Sequence, residues 1–229
     1  MTRRWRELRR RVLVEERGIS LVELIVAMTL SILILTVAGS FLVSAQRASV
    51  TARAVNDNTR TAAAAMNEMT RILRSATNNA VSTGDEPQYA FQYASATSVR
   101  FFSYVNTAST ASRPVLVQLT LDPVRRSIIE TKWAGTQVGA SDYYTFPLAS
   151  TPSLSATPMS TRTLATSVVS TRAFTFTNAA GTMLGSIDAP LSATDLTNVR
   201  RVAITITAGT DLSDRRATTL TNSVSLANL

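Results

Sequence analysis

After Glu23 the chain carries no charged side chain until Arg47. Residues 24–45 are Leu, Ile, Val, Ala, Met and Phe with a few Ser and Thr and the single Gly39. Read as a helix, residues 19–45 extend about 40 Å at ~1.5 Å per residue, enough to cross the ~30 Å hydrocarbon layer of a bilayer. Glu23 stands at the head of this run. One ionised group in a membrane helix costs about 2.5–3.5 kcal/mol at mid-bilayer on insertion scales and less near an interface, so this carboxylate needs a partner.

Length and composition set the remaining bounds. The chain has 229 residues, enough for one ordinary domain and a long helix. It has no Cys and no His, which excludes disulfides, thiolate chemistry, Ser-His-Asp triads and the common zinc sites. The formal charge is +8. Residues 1–18 hold seven Arg against three Glu, which is half of that excess, so the basic character of the whole chain is a weak argument for nucleic-acid binding. The basic cluster precedes the apolar run. The positive-inside rule therefore keeps residues 1–18 in the cytoplasm and sends the chain beyond Gln46 outward.

Three readings of this N-terminus compete. A secretory signal peptide fits the basic head, and Val43-Ser44-Ala45 is a small-residue cleavage site, but the apolar run exceeds the usual ~7–15 residues and contains Glu23. A plain signal anchor leaves Glu23 without a role. A cut on the cytoplasmic side, between Gly18 and Ile19, creates a new α-amino group close to Glu23. An amine and a carboxylate in the same low-dielectric layer pair between neighbouring helices, offset each other's desolvation and set the axial register of one subunit on the next. Glycine before the cut allows close approach of a protease to the backbone.

Gly18-Ile19-Ser20-Leu21-Val22-Glu23-Leu24 resembles the cleavage and methylation motif of type IV prepilins and type II secretion pseudopilins. The resemblance implies that a membrane prepilin peptidase cuts after Gly18 and N-methylates Ile19. It implies too that Glu23 is the carboxylate used in assembly, and that the chain joins other pilin or pseudopilin subunits in a filament. Two departures stand out: Ile19 replaces the usual Phe, and no proline interrupts the apolar segment.

Beyond the membrane the helix should continue. Ala48, Ala52, Val55, Thr59, Ala62, Met66, Met69, Leu73 and Ala76 recur at alternating steps of four and three, a small-residue stripe expected to pack on a sheet. An end near Asn78-Asn79 is expected, before Thr83-Gly84-Asp85-Glu86-Pro87. Strand patterns follow at 99–105, at 115–121 closed by Asp122-Pro123, at 127–133, at Phe174-Thr175-Phe176-Thr177, at 202–206 and at 218–226. Residues 150–170, rich in Ser, Thr and Pro, read as a solvated loop, with O-glycosylation or partner contact as the alternative.

The expected fold is therefore α+β, a long N-terminal helix on an antiparallel head. The expected parts are a cytoplasmic leader at 1–18, a membrane or filament-core helix at 19–45, an amphipathic continuation at 46–79 and a β-rich extracytoplasmic head at 80–229. The order of these parts resembles the larger minor pilins and J-type pseudopilins, with Phe174-Thr175-Phe176, residues 202–206 and Val224-Ser225-Leu226-Ala227-Asn228 as the matching stretches. That resemblance implies a pilin-like fold and insertion as a single pass in the inner membrane before passage into an extracytoplasmic filament. Its partners would be other subunits, the peptidase, the membrane assembly machinery and lipid.

No enzymatic activity and no cofactor are expected. The chain lacks a Gly-rich phosphate loop and a metal-ligand spacing, and its carboxylates are scattered. Arg125-Arg126, Arg200-Arg201 and Arg215-Arg216 could meet DNA phosphates, as in a DNA-uptake filament. Neighbours on a strand face opposite ways, however, so a pair makes no patch. The alternative from another class is a secreted or anchored binding domain with an ordinary signal sequence.

Overall fold

A computed structural model describes residues 19–84, 86–104, 113–186, 189–226 and 229. The leader, with Gly18, and Asn228 lie outside the described residues. The chain divides into two compact units between Thr51 and Ala52. Helix α1 (Leu21–Arg74) contributes its apolar segment to the first unit and its remaining turns to the second.

The second unit is mixed α+β, with α1 packed on antiparallel sheet. In chain order its strands are β1 (Phe91–Ala94), β2 (Ser98–Ser103), β3 (Val115–Asp122), β4 (Ser127–Ala134), β5 (Thr136–Gln137), β6 (Tyr144–Thr145), β7 (Ser160–Ala165) and β8 (Phe174–Thr177). A short helix α2 (Ala193–Asn198), β9 (Arg201–Ala208) and β10 (Thr218–Ser225) follow. A five-stranded sheet runs β1-β2-β3-β4-β7, a three-stranded sheet β10-β9-β8, and β5 pairs with β6.

The helix packs where its small-residue stripe lies. Ala62, Ala65, Met66, Met69, Ile72 and Leu73 join one core with Phe101, Val117 and Leu119 of the larger sheet and Phe174, Ile204, Ile206 and Val224 of the smaller. The expected stripe is borne out from Ala62 onward, is half-buried at Val55 and Thr59, and is corrected at Ala48 and Ala52, which are exposed. Polar contacts fix β10 along the helix. Asn58 Nδ2 donates to the Arg216 carbonyl at 2.9 Å, and Asn222 Nδ2 to Thr70 Oγ1 at 3.0 Å.

The helix stops at Arg74, four residues before the expected Asn78. Ser75 caps it by donating its hydroxyl to the Ile72 carbonyl at 2.6 Å. The Thr77 N–H then donates to the Phe102 carbonyl at 3.1 Å, so sheet pairing takes over from the helix before its sequence signal ends.

The far face of the larger sheet is also covered. Phe102, Leu116 and Trp133 form a second core under Phe146, Leu154 and Ala156, with Trp133 Nε1 donating to the Ala156 carbonyl at 2.9 Å. This corrects the solvated loop expected at 150–170. Leu154 and Ala156 cover the sheet, Ser160–Ala165 is an edge strand on β4, and Ala165, Val168 and Ser170 are buried. The polar pattern of β7 misleads because an edge strand with one solvated face needs few apolar residues.

Candidate functional site

The first unit carries the motif residues. Ile19 is 74 % exposed, and every residue from 19 to 51 is exposed. Helix α1 contains a segment long and apolar enough to cross a membrane, none of it buried. Its composition suits lipid further, because all five hydroxyls between residues 24 and 45 are satisfied within the helix. Thr29 donates to the Val26 carbonyl, Ser31 to Ala27, Thr36 to Ile32, Ser40 to Val37 and Ser44 to Ser40, at 2.7–2.9 Å. Glu23 is then the one ionisable side chain between residues 19 and 46.

Ser20 and Glu23 form a capping box. The Glu23 N–H donates to Ser20 Oγ at 3.1 Å, and Glu23 Oε2 lies 3.4 Å from the Ser20 N–H in return. The carboxylate thus sits at the positive end of the helix dipole and serves otherwise unpaired N–H groups. A Ser with Glu three residues on, ahead of an apolar run, is the sequence signal for this box; the pairing reading of Glu23 alone overlooks it. Ile19 directly precedes the cap, so a free amine there would stand one residue from the box.

In the second unit the charged groups build clamps. The Glu68 carboxylate accepts from Arg71 Nη2 at 2.7 Å and also from Arg162, which reaches Glu130 as well. Lys132 Nζ stands 2.7 Å from Glu130 Oε1 without the directionality of a hydrogen bond, a Coulombic contact. Helix α1, β4 and β7 are thereby joined. The Arg71 hydrogen bond, helped by Arg162 and working against partial burial, holds the Glu68 carboxyl at about 2 against an ordinary 4.5.

Arg100 is fully buried on β2, and sequence reasoning gave no sign of it. Its Nε donates to Gln118 Oε1 at 2.8 Å, Nη1 to the Ala149 carbonyl at 2.9 Å, and Nη2 to the Thr151 and Pro152 carbonyls at 2.9 and 3.0 Å. Burial lowers its pKa. Four neutral acceptors replace a counter-ion, and they tie the 149–152 loop to the sheet.

Two of the three arginine pairs flank one turn, since Arg126 also donates to the Thr210 carbonyl and Thr210 donates its hydroxyl to Asp214, the partner of Arg216. Arg126 donates to the Gly209 carbonyl at 3.0 Å, Arg200 to the Thr197 and Val199 carbonyls at 2.9 Å, and Arg216 Nε to Asp214 at 3.1 Å. One member of each pair is thus spent on the fold while Arg125, Arg201 and Arg215 stay exposed. Asp211 and Asp214 lie in a turn closed by their own hydrogen bonds. Among the described residues no group of acidic side chains is placed to hold a metal ion.

No protein-family model matches the chain, and no curated protein matches it.

Proposed function

We propose that this protein is a filament subunit of the minor pilin or pseudopilin class, with a pilin-like fold. The observation that carries the reading is the wholly exposed apolar segment of α1, whose hydroxyls are satisfied within the helix and whose first turn carries one carboxylate, on Glu23. Such a helix requires a continuous apolar surround, supplied first by the inner membrane and then by the helices of neighbouring subunits. In this reading the prepilin peptidase cuts between Gly18 and Ile19, Ile19 becomes the N-methylated terminus, and Glu23 neutralises the terminal amine of an adjacent subunit. The protein works by assembling, not by catalysis. The chain lies N-terminus inward in the membrane until the assembly machinery draws it into an extracytoplasmic filament.

The capping box favours a rival reading, a plain membrane anchor in which Glu23 only caps its own helix. The two are separated by a pair of variants. Ser20→Ala removes the cap hydroxyl and keeps the carboxylate, while Glu23→Ala removes both the return contact and the charge. The filament reading expects Ser20→Ala to enter filaments near normally and Glu23→Ala to insert in the membrane, be cut and then fail to incorporate. Equal incorporation of both variants would leave Glu23 as a cap alone.

A further inference from the structure

Strand β1, the loop at 148–150 and helix α2 enclose an open groove of about 670 Å³, within the size range of small-ligand sites. In a chain with 23 basic and 15 acidic residues, none of the described residues lining it is charged. Its walls are of two kinds. Leu148, Leu191 and Leu196 are apolar, while Gln92, Tyr89 and Tyr93 carry amide and hydroxyl groups. Tyr89 is 44 % exposed, and its ring is held by a hydrogen bond from its hydroxyl to Glu86 Oε2 at 3.2 Å.

Tyr93 is the sharper observation. It is 7 % exposed, yet its hydroxyl makes no hydrogen bond to a described residue and is not sealed from solvent. A buried tyrosine ordinarily finds a partner for its O–H. The Arg100 guanidinium carbon lies 5.6 Å from the centre of the Tyr93 ring, and the same guanidinium holds the Ala149 carbonyl at 2.9 Å. Two walls of the groove are therefore fixed to one buried side chain, and the site is formed before anything enters it.

The geometry points to a binding groove for a neutral saccharide. A sugar ring has an apolar C–H face and a hydroxyl rim, which matches an exposed aromatic ring beside leucines with an amide, and a phenol that has no partner among the described residues, at the edge. Absence of charge among the described lining residues disfavours phosphates and acidic polymers. A peptide added as a strand is disfavoured too, because the outer edge of β1 is already used where the Leu191 N–H donates to the Ala94 carbonyl at 2.8 Å. In the assigned mode the ring stacks on Tyr89 while its hydroxyls meet Tyr93 Oη and Gln92 Oε1, the Gln92 Nε2 already donating to the Tyr89 carbonyl at 2.5 Å. This inference does not rest on the filament reading.

The test is saturation-transfer NMR on the full chain in dodecylphosphocholine micelles, whose headgroup contains no sugar. The probes are cellotetraose, maltotetraose and triacetylchitotriose at millimolar concentration. At least one should receive transfer, strongest at its ring C–H protons. Tyr89→Ala should weaken that binding about tenfold. Tyr93→Phe, which keeps the ring over Arg100, should weaken it severalfold with the melting temperature unchanged. Silence of all three probes overturns the assignment, as does transfer that both variants leave intact. Binding of the neutral peptide Ala-Gln-Ala-Gln with the sugars silent also overturns it, and gives the groove to a peptide.

Discussion

At Glu68 one carboxylate serves two guanidinium groups from different elements, and its ionisation links folding to pH. Its folded-state pKa is depressed to about 2 from 4.5, so the stabilisation is complete above pH 4.5 and is lost as pH falls toward 2. Arg71 and Arg162 are half exposed, so solvent screens the pair and about 1 kcal/mol is expected rather than the full shift. Glu68→Gln should therefore be about 1 kcal/mol less stable than wild type in urea at pH 7, with the gap closing between pH 4.5 and 2. A gap independent of pH would contradict the charge account. Arg100 acts differently. Arg100→Met strands the Ala149, Thr151 and Pro152 carbonyls and should cost roughly 2–4 kcal/mol, with earlier proteolysis in the 146–156 segment. Unchanged proteolysis there would show that the loop holds without its guanidinium. Neither residue was legible in the sequence. Arg100 reads there as an ordinary polar position on a strand, because three of its four acceptors are backbone carbonyls about 50 residues away, and carbonyls have no sequence signature. Glu23 was legible as an anomaly, but the local use that Ser20 makes of it was passed over.

At the scale of elements, legibility followed periodicity. The strands at β3, β4, β8, β9 and β10 were visible because buried and exposed residues alternate along them or because turn residues bound them. The sequence patterns miss β1, β5, β6, β7 and α2. β7 is an edge strand without an apolar face, and α2 spans six residues with none buried, its Ser192 cap donating to Asp195 Oδ2 at 2.7 Å. The helix stripe was legible in period but not in extent, since α1 meets the sheets only along its second half. Packing there is tight around Met69, which is fully buried. Met69→Ala should cost about 2–5 kcal/mol, read as a lowered urea midpoint. Ala64→Ser, on the exposed side of the helix a little over one turn earlier, should change it by less than about 0.5 kcal/mol. Equal losses at the two positions would contradict the helix–sheet core described above.

The whole molecule joins a self-sufficient folded unit to a helical segment that has no apolar partner of its own. From Ala52 onward the chain closes a core between α1 and two sheets, whereas residues 19–51 bury nothing. The proposed filament subunit would account for that division, because the exposed segment would be covered by lipid before assembly and by other subunits after it. The central claim is chemical and local: the chain is cut between Gly18 and Ile19 and the new terminus is methylated. The most direct measurement is the N-terminal sequence and intact mass of the protein purified from its host, with and without the prepilin peptidase. The account predicts a chain that starts at Ile19, carries one added methyl group and appears only when the peptidase is present. A mature chain starting at Gln46, or an uncut chain with residues 1–18 still attached, would contradict it and leave Glu23 as a helix cap on an ordinary signal or anchor.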